Sequence, residues 1–289
     1  MEQHKECLIC KSSNLSEKIG YEKYFLVECA SCRFVFTKKI PTDQELEEHY
    51  EGYGRNDYLS PITIKRYNEL LDYFEKFRKN NKILDVGCGI GYFLEEAKKR
   101  GWTVYGTEYT QEACAICISK NISMQKGELE ENNYPLNSFD VITSFEVIEH
   151  INNPILELSK FYNLLRKGGL VYITTPNFNS LLRYRLKAEY NVICYPEHLS
   201  YYTPRTIRLL MKKTGFKTQK ILTTGISLTR LKTSKTKVKE GYIAKNSSDE
   251  KIRNSMEKNR FLQLFKWTLN SLLTFFGKGD ALKGYFIKP

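Results

Sequence analysis

Two periods of apolar spacing alternate along this chain from residue 82 onward. Apolar runs at 82–86, 103–107, 122–126, 139–145 and 169–174 read as strands. Between them, 91–100, 111–119 and 154–166 carry apolar residues at helical spacing. Such alternation predicts an α/β protein, a parallel sheet with helices on both faces. A helix at 204–214, a strand at 216–223 and a last strand at 281–287 continue it. Ahead of the sheet, Ile64, Tyr67, Leu70, Leu71, Phe74 and Phe77 mark a helix over 61–79. Another helix starts at Pro41-Thr42-Asp43: Thr42 or Asp43 can cap it, and Glu45, Glu47 and Glu48 suit its positive end. The pattern breaks at 225–277. There, 231–260 is polar and lysine-rich, and 261–276 is an amphipathic helix with Gln263, Lys266, Asn270 and Thr274 on one face. That helix either packs on its own domain or seats on a membrane surface, as a lid over a lipid-linked substrate would.

The N-terminus has a different logic. Cys7-x-x-Cys10 and Cys29-x-x-Cys32 are paired knuckles, with 24–28 a strand leading into the second. Four thiolates from two such turns make a closed tetrahedral zinc site, structural because no coordination position stays open. A segment of this size needs such a staple. The expected organisation is a zinc-ribbon-like module at 1–40, a helical bridge at 41–80, the α/β core at 81–224, a basic and amphipathic insertion at 225–277 and the final core strand at 278–289.

Charge refines this picture. The chain has a net charge of +12, yet from Arg205 onward there are 20 Lys+Arg against 5 Asp+Glu. The basic character belongs to the C-terminal third and suits an anionic partner: a phosphate-bearing substrate, a lipid surface or nucleic acid. No apolar run reaches membrane-spanning length and no signal-type segment opens the chain, so a cytoplasmic protein with reduced thiols is expected.

The chemistry concentrates at Ile83-Leu-Asp-Val-Gly-Cys-Gly-Ile-Gly91. A strand ends in Asp85, and Gly87, Gly89 and Gly91 let the backbone approach a ligand and open a helix N-terminus. The spacing is G-x-G-x-G, not the G-x-G-x-x-G of dinucleotide folds. With its preceding acid it resembles the first motif of class I S-adenosylmethionine-dependent methyltransferases. Glu108, after the second strand, can accept both hydroxyls of a ribose. Gly127-Glu128-Leu129 falls where that family meets the adenine amine. Asn137-Ser-Phe-Asp-Val-Ile142 and Leu165-Arg-Lys-Gly-Gly-Leu170 resemble its fourth strand and the turn into its fifth. The resemblance spans about 80–224 and implies a Rossmann-like sheet ordered 3-2-1-4-5-7-6 with strand 7 antiparallel. It also implies S-adenosylmethionine as cofactor.

Two histidines stand near the expected acceptor side. His150 closes Phe145-Glu-Val-Ile-Glu-His150 at the end of the fourth strand. It is a base, a member with Glu146 and Glu149 of a divalent-ion site like that of the similar quinone-pathway O-methyltransferase motif, or a cap that shapes the cofactor pocket. His198 lies in Tyr195-Pro-Glu-His-Leu-Ser-Tyr-Tyr-Thr-Pro204, which resembles a segment of sugar C-methyltransferases in which the histidine is the base and the glutamate supports it. Carried over, His198 is the base and Glu197 its partner; the alternative is a structural join between loop and helix. His4 and His49 are expected at the solvated surface, and Cys114 and Cys117 in the core or on a helix surface.

A methyltransferase acting on a small molecule or glycan is the leading expectation. A nucleotide- or lipid-linked sugar of surface polysaccharide biosynthesis suits the zinc module, the Glu197-His198 segment and the late helix. An RNA methyltransferase and a non-catalytic binding protein of the same fold are the alternatives. The stretch 231–260 has only Tyr242 as an aromatic, which speaks against a nucleic-acid stacking platform.

Overall fold

The computed structural model describes residues 2–42, 44–46, 59–231 and 259–289. The strands are β1 (Leu15–Glu17), β2 (Leu26–Cys29), β3 (Val35–Thr37), β4 (Lys82–Val86), β5 (Thr103–Glu108), β6 (Ser123–Lys126), β7 (Phe139–Phe145), β8 (Leu165–Pro176), β9 (Ser200–Tyr201), β10 (Lys217–Thr224) and β11 (Ala281–Ile287). The helices are α1 (Pro61–Phe74), α2 (Tyr92–Lys99), α3 (Gln111–Ser119), α4 (Pro154–Leu164), α5 (Leu181–Leu186), α6 (Pro204–Lys213) and α7 (Arg260–Phe276).

The larger sheet has seven strands, in the order β6-β5-β4-β7-β8-β11-β10. β4 to β8 pair in parallel, and β11 runs antiparallel to both β8 and β10. Counted along the chain this is the expected 3-2-1-4-5-7-6 order. The parallel strands are buried on both faces and therefore read as continuous apolar runs. One face carries Leu84, Ile142, Val171 and Phe286 against α4 and α6. The other carries Ile83, Val141 and Tyr172 against α1 and α2.

Side-chain caps close the starts of several helices. Ser60, Asn153 and Thr203 each accept a first-turn N–H, and Thr203 and Thr206 form a reciprocal capping box. Thr42 accepts from the Glu45 N–H at 3.2 Å, and Glu45 returns the bond to the Thr42 N–H at 3.1 Å. Asp43, Glu47, Glu48 and His49 lie outside the described residues. Of the stretch expected as a bridge, α1 is a layer of the core, with Leu71 and Phe74 fully buried.

β8 begins at Leu165, four residues before its expected start. Arg166 is buried, and its Nε lies 2.5 Å from the Asp140 carboxylate. The strand therefore extends through a charged pair that hydropathy marks as loop. The strand expected at 24–28 starts at Leu26, because Glu22–Tyr24 form a 3-10 turn ended by Phe25 in the left-handed region.

The N-terminal segment is joined to the core more closely than an attachment would be. β1, β2 and β3 form a sheet whose fourth strand is β9, from the far side of the chain. Val35 pairs with Tyr201 and Phe36 with Ser200, and the Thr37 N–H donates to the Leu199 carbonyl at 2.8 Å. Phe34 lies tilted against Tyr202 with centroids 5.2 Å apart, and Ile9, Val27, Phe34 and Phe36 share one apolar cluster with the core. His4 is half-buried and bonds the Asn152 side chain at 2.8 Å, so it is not the solvated surface residue that the sequence suggested.

Candidate active site

The glycine turn connects β4 to α2. Gly87, Gly89 and Gly91 all have positive φ (73°, 54° and 81°), a region L side chains avoid. A Cβ on Gly87 would sit 2.5 Å from Val147, and one on Gly91 2.6 Å from Ile122. At Gly89 nothing lies within 4 Å, so that side of the turn is open to a ligand. The Gly87 and Cys88 N–H groups both donate to the Thr107 carbonyl at 3.0 Å, fixing the turn against β5.

Glu108, at the end of β5, faces the turn. Its carboxylate accepts from the Gly89 N–H at 3.0 Å, the Tyr109 N–H at 2.8 Å and the Thr110 N–H at 3.2 Å. Three backbone donors aim the group, leaving lone-pair capacity for hydroxyl donors. α3 secures the opposite edge. Cys117 Sγ donates to the Gly89 carbonyl at 3.3 Å, Cys114 Sγ to the Glu108 carbonyl at 3.3 Å, and Lys120 Nζ to the Ile90 carbonyl at 2.8 Å. Both cysteines are buried, as expected of core residues, but their bonds to the turn left no sequence signal. At the end of β6, Glu128 is exposed, while the Leu129 side chain is in the core, so only its backbone can face a ligand.

Asp85 lies beneath the turn, fully enclosed, and accepts from the Thr143 hydroxyl at 2.7 Å. Burial pushes its carboxyl up to about 7; the Thr143 bond opposes this and the Glu108 charge adds to it. The folded chain therefore holds a proton that the unfolded chain releases near pH 4. This contribution to stability is complete below that value and is lost as pH rises toward 7. Asp85→Asn, which mimics the protonated form, is expected to melt higher than wild type at pH 8 and alike at pH 4. The gain is at most about 4 kcal/mol, from 1.36 kcal/mol per pH unit. Thermal scans across that range check this; a pH-independent difference would count against the assignment.

The second half of the site follows β7. Glu146 has φ 53°, unusual for a residue other than glycine, and its N–H donates to the Thr174 carbonyl at 3.0 Å. Its side chain is exposed to solvent at its tip, and the protein packed around the carboxylate raises its pKa. Arg230 and Lys283 oppose that rise by their positive charge. Arg230, in the insertion, belongs to no motif and was not foreseen.

Glu149 is buried, and among the described residues neither carboxylate oxygen has a hydrogen-bond partner. Burial, reinforced by Glu146, raises its pKa well above the usual range. Its ligand oxygen and a ring nitrogen each of His150 and His198 lie within 4.8 Å of one another. His150 Nδ1 donates to the Glu197 carbonyl at 2.7 Å, and His198 Nδ1 to the Val192 carbonyl at 2.7 Å. The rings meet edge to face with centroids 4.7 Å apart. Backbone carbonyls thus fix each tautomer, making Nε2 the basic atom of both rings. Burial, and then the neighbouring His150, push His198 down to about 3.

The sequence had paired the Glu197 carboxylate with His198. The structure gives Nδ1 of His198 to Val192 instead, while the Glu197 carboxylate accepts from the Cys194 thiol at 3.5 Å and reaches His198 through its charge. Of the expected trio Glu146, Glu149 and His150, the last two converge with His198.

The zinc expectation can be tested on the sulfurs. Cys7, Cys10, Cys29 and Cys32 place their four Sγ atoms within 4.8 Å of one another, with Cys7–Cys32 and Cys10–Cys29 each at 3.5 Å and no disulfide. Four ligands about 2.3 Å from a tetrahedral zinc sit at comparable separations. The two knuckles match: Lys11 and Arg33, both left-handed, donate their N–H groups to Cys7 and Cys29 carbonyls at 3.0 and 2.8 Å. Burial pushes the Cys7 thiol up to about 11 and Cys32 higher still, while hydrogen bonds hold Cys29 down to about 7 against its burial, so ionising Cys7 and Cys32 beside it calls for a divalent cation. The residues fit Zn2+.

The family model described as a methyltransferase domain matches residues 59–221. The chain is 29% identical over 136 residues to the ubiquinone biosynthesis O-methyltransferase of Aeromonas salmonicida, covering 43% of this chain and 57% of that one. It is 34% identical over 110 residues to the mitochondrial ubiquinone biosynthesis O-methyltransferase of Rattus norvegicus, covering 35% and 32%. The chain thus spans about half the length, or less, of these curated relatives. Among solved structures, an S-adenosylmethionine-dependent methyltransferase from Archaeoglobus fulgidus aligns with a TM-score of 0.52 at 20% identity, over 84% of this chain and 98% of that one. Haemonchus contortus phosphoethanolamine N-methyltransferase 2, in complex with S-adenosyl-L-methionine, aligns at 0.53 and 20% over 88% and 62%. At such identity the likeness concerns the fold. With the family match running over more than half its length, on a sheet of the order and glycine turn just described, this chain belongs to the methyltransferase domain family and has the class I S-adenosylmethionine-dependent fold.

Proposed function

We propose that this protein transfers the methyl group of S-adenosylmethionine to an oxygen atom of a small-molecule acceptor. The observation that carries this is the contact between the two half-sites. Val147, inside Glu146-Val-Ile-Glu-His150, packs onto Gly87 of the cofactor turn, so the segment carrying Glu146, Glu149 and His150 adjoins the place where Glu108 would hold a ribose. A sulfonium methyl is already a good electrophile, so the chain must chiefly align an acceptor with it.

A hydroxyl acceptor must also lose a proton. His198 presents a neutral Nε2 at physiological pH, but an imidazole held near 3 is by itself a weak base for a hydroxyl. Glu149, with no partner for either oxygen among the described residues, and His150 complete a donor set suited to a divalent ion. Such an ion would supply Lewis acidity that lowers the pKa of an acceptor hydroxyl. The relatives' printed names favour oxygen over carbon as the methylated atom. Arg230 and Lys283 beside Glu146 suit an anionic acceptor. A nucleotide- or lipid-linked sugar remains the first class to test, on the strength of the Glu197-His198 segment and the zinc module; a polysaccharide pathway has no support from the relatives.

The test is transfer of a labelled methyl group into cell extract, separated into phenols, nucleotide sugars, lipid-linked glycans and RNA. Label is expected in a small-molecule fraction and should fall on chelation of divalent ions. His198→Gln should lower kcat/KM by roughly 10²-fold or more while leaving cofactor affinity within about twofold. Label confined to RNA would sink the acceptor class, and wild-type turnover by His198→Gln would sink the role of His198.

A further inference from the structure

α7 is amphipathic in the reverse of the usual sense. At 3.6 residues per turn, Gln263, Lys266, Asn270 and Thr274 share one side, and Phe261, Leu264, Phe265, Leu272, Phe275 and Phe276 fall within an arc of about 120° on the other. The C-terminal half of the polar side, Asn270 and Thr274, faces the protein. Thr274 Oγ1 accepts from the Thr223 N–H at 3.2 Å and donates to its carbonyl at 2.9 Å, and Asn270 accepts from the Gly225 N–H at 2.9 Å. These bonds satisfy backbone groups at the end of edge strand β10, and Leu273 is buried among them. The apolar side faces outward, with Phe261 84%, Phe275 82% and Phe276 63% exposed. Leu181 and Tyr184 of α5 are exposed nearby, where the Leu181 N–H bonds the Lys278 carbonyl at 3.1 Å and Lys278 Nζ lies 4.1 Å from the Tyr184 ring.

A contiguous apolar face of this kind has an occupant. Charge identifies it. No acidic residue occurs between Asn259 and Gly279, whereas Arg260, Lys266 and Lys278 lie in that span. In a symmetric dimer these like charges would be brought together. An anionic lipid surface takes up both the aromatic face and the lysines. We infer that α7 seats in the plane of an anionic bilayer surface, anchored by its outward phenylalanines. Among the described residues no helix is long and apolar enough to cross a membrane, so the contact is peripheral. α5 and the C-terminal end of α7 lie just beyond the C-terminal end of β8, where Asn177 and Asn179 each donate to the Gly277 carbonyl at 3.0 Å. If the proposed transfer is correct, the acceptor is carried in or tethered to that lipid.

The chain provides its own probe. Of its two tryptophans, Trp102 is 3% exposed and Trp267, on α7, is 68% exposed. Full-length protein is mixed with vesicles of phosphatidylcholine alone or with phosphatidylglycerol added, and sedimentation and tryptophan emission are followed without cofactor. Expected are binding at least tenfold tighter to the phosphatidylglycerol vesicles, a blue shift from Trp267, and weakening by salt. Phe275→Glu/Phe276→Glu should reduce binding by tenfold or more while its melting temperature and S-adenosylmethionine affinity match wild type; Phe261→Ser/Phe265→Ser, at the other end, is the second variant should the first not fold. No vesicle binding, or binding unchanged in folded variants, overturns the inference. A blue shift with dimer formation in the absence of vesicles also overturns it and makes a second copy the occupant. Cofactor titration is separate, so failure here and failure of the methyl-transfer reading are told apart.

Discussion

Replacing Cys29 or Cys32 with serine is expected to abolish zinc binding at the cysteine cluster and to cost most of the methyl-transfer activity, although both residues are remote from the glycine turn in sequence. The reason is where the N-terminal module grips the core. β3 pairs with β9 two residues after His198, the Leu199 N–H bonds the Glu149 carbonyl at 2.8 Å, and Tyr24 Oη donates to the Ala188 carbonyl at 3.1 Å. Tyr195 packs against Phe25 with centroids 5.2 Å apart and donates to Glu45 at 3.0 Å. The loop that carries Glu197 and His198 is thus shaped by the module. A module of this size held by zinc loses much of its stability with the metal. A loss of about 3–5 kcal/mol lowers the melting temperature by roughly 5–8 °C in a chain of this length. Turnover should fall at least tenfold beyond what the folded fraction explains, while S-adenosylmethionine affinity stays within about threefold. Metal analysis, melting curves and steady-state rates check this. A serine variant with wild-type melting and turnover would mean that the cluster carries no metal that matters.

Much of this arrangement was legible in the residues themselves. β4, β7 and β11 begin and end where the apolar runs do, and α3 matches its expected bounds. Residues suited to left-handed turns, Gly101, Asn121 and Gly215, separate helices from strands and mark the boundaries locally. The glycine turn and Glu108 were legible because their role is conformational and their spacing fixed. Long-range pairing was not. β9 is two residues long, and it pairs with a strand more than 160 positions earlier, which leaves no periodicity to read. Arg230 comes near Glu146 only through the fold. The periodicity of α7 defined its two faces but not which one turns inward. That choice was made by unpaired backbone groups on β10, which Asn270 and Thr274 satisfy and phenylalanine could not.

Glu108→Ala should weaken S-adenosylmethionine binding by roughly 30- to 150-fold. The carboxylate is held by three backbone donors, so its position is set before any ligand arrives. Removing it takes away charged acceptors for two hydroxyls, about 2–3 kcal/mol at 1.4 kcal/mol per tenfold, and leaves the Gly89 N–H without its partner. Glu108 is on the far side of β4 from the His150–His198 pair, so the melting temperature without ligand should change by only a few degrees. An Ala variant that binds the cofactor as wild type does would remove Glu108 from the site and with it the reading of the turn.

The central claim is that the glycine turn and Glu108 form a site for S-adenosylmethionine, and calorimetric titration of the full chain measures it most directly. The account predicts saturable, one-to-one binding of S-adenosylmethionine and of its demethylated product, S-adenosylhomocysteine, with NAD giving no heat at the same concentrations. A chain that binds neither adenosyl compound, or that binds NAD in their place, would contradict the account at its foundation.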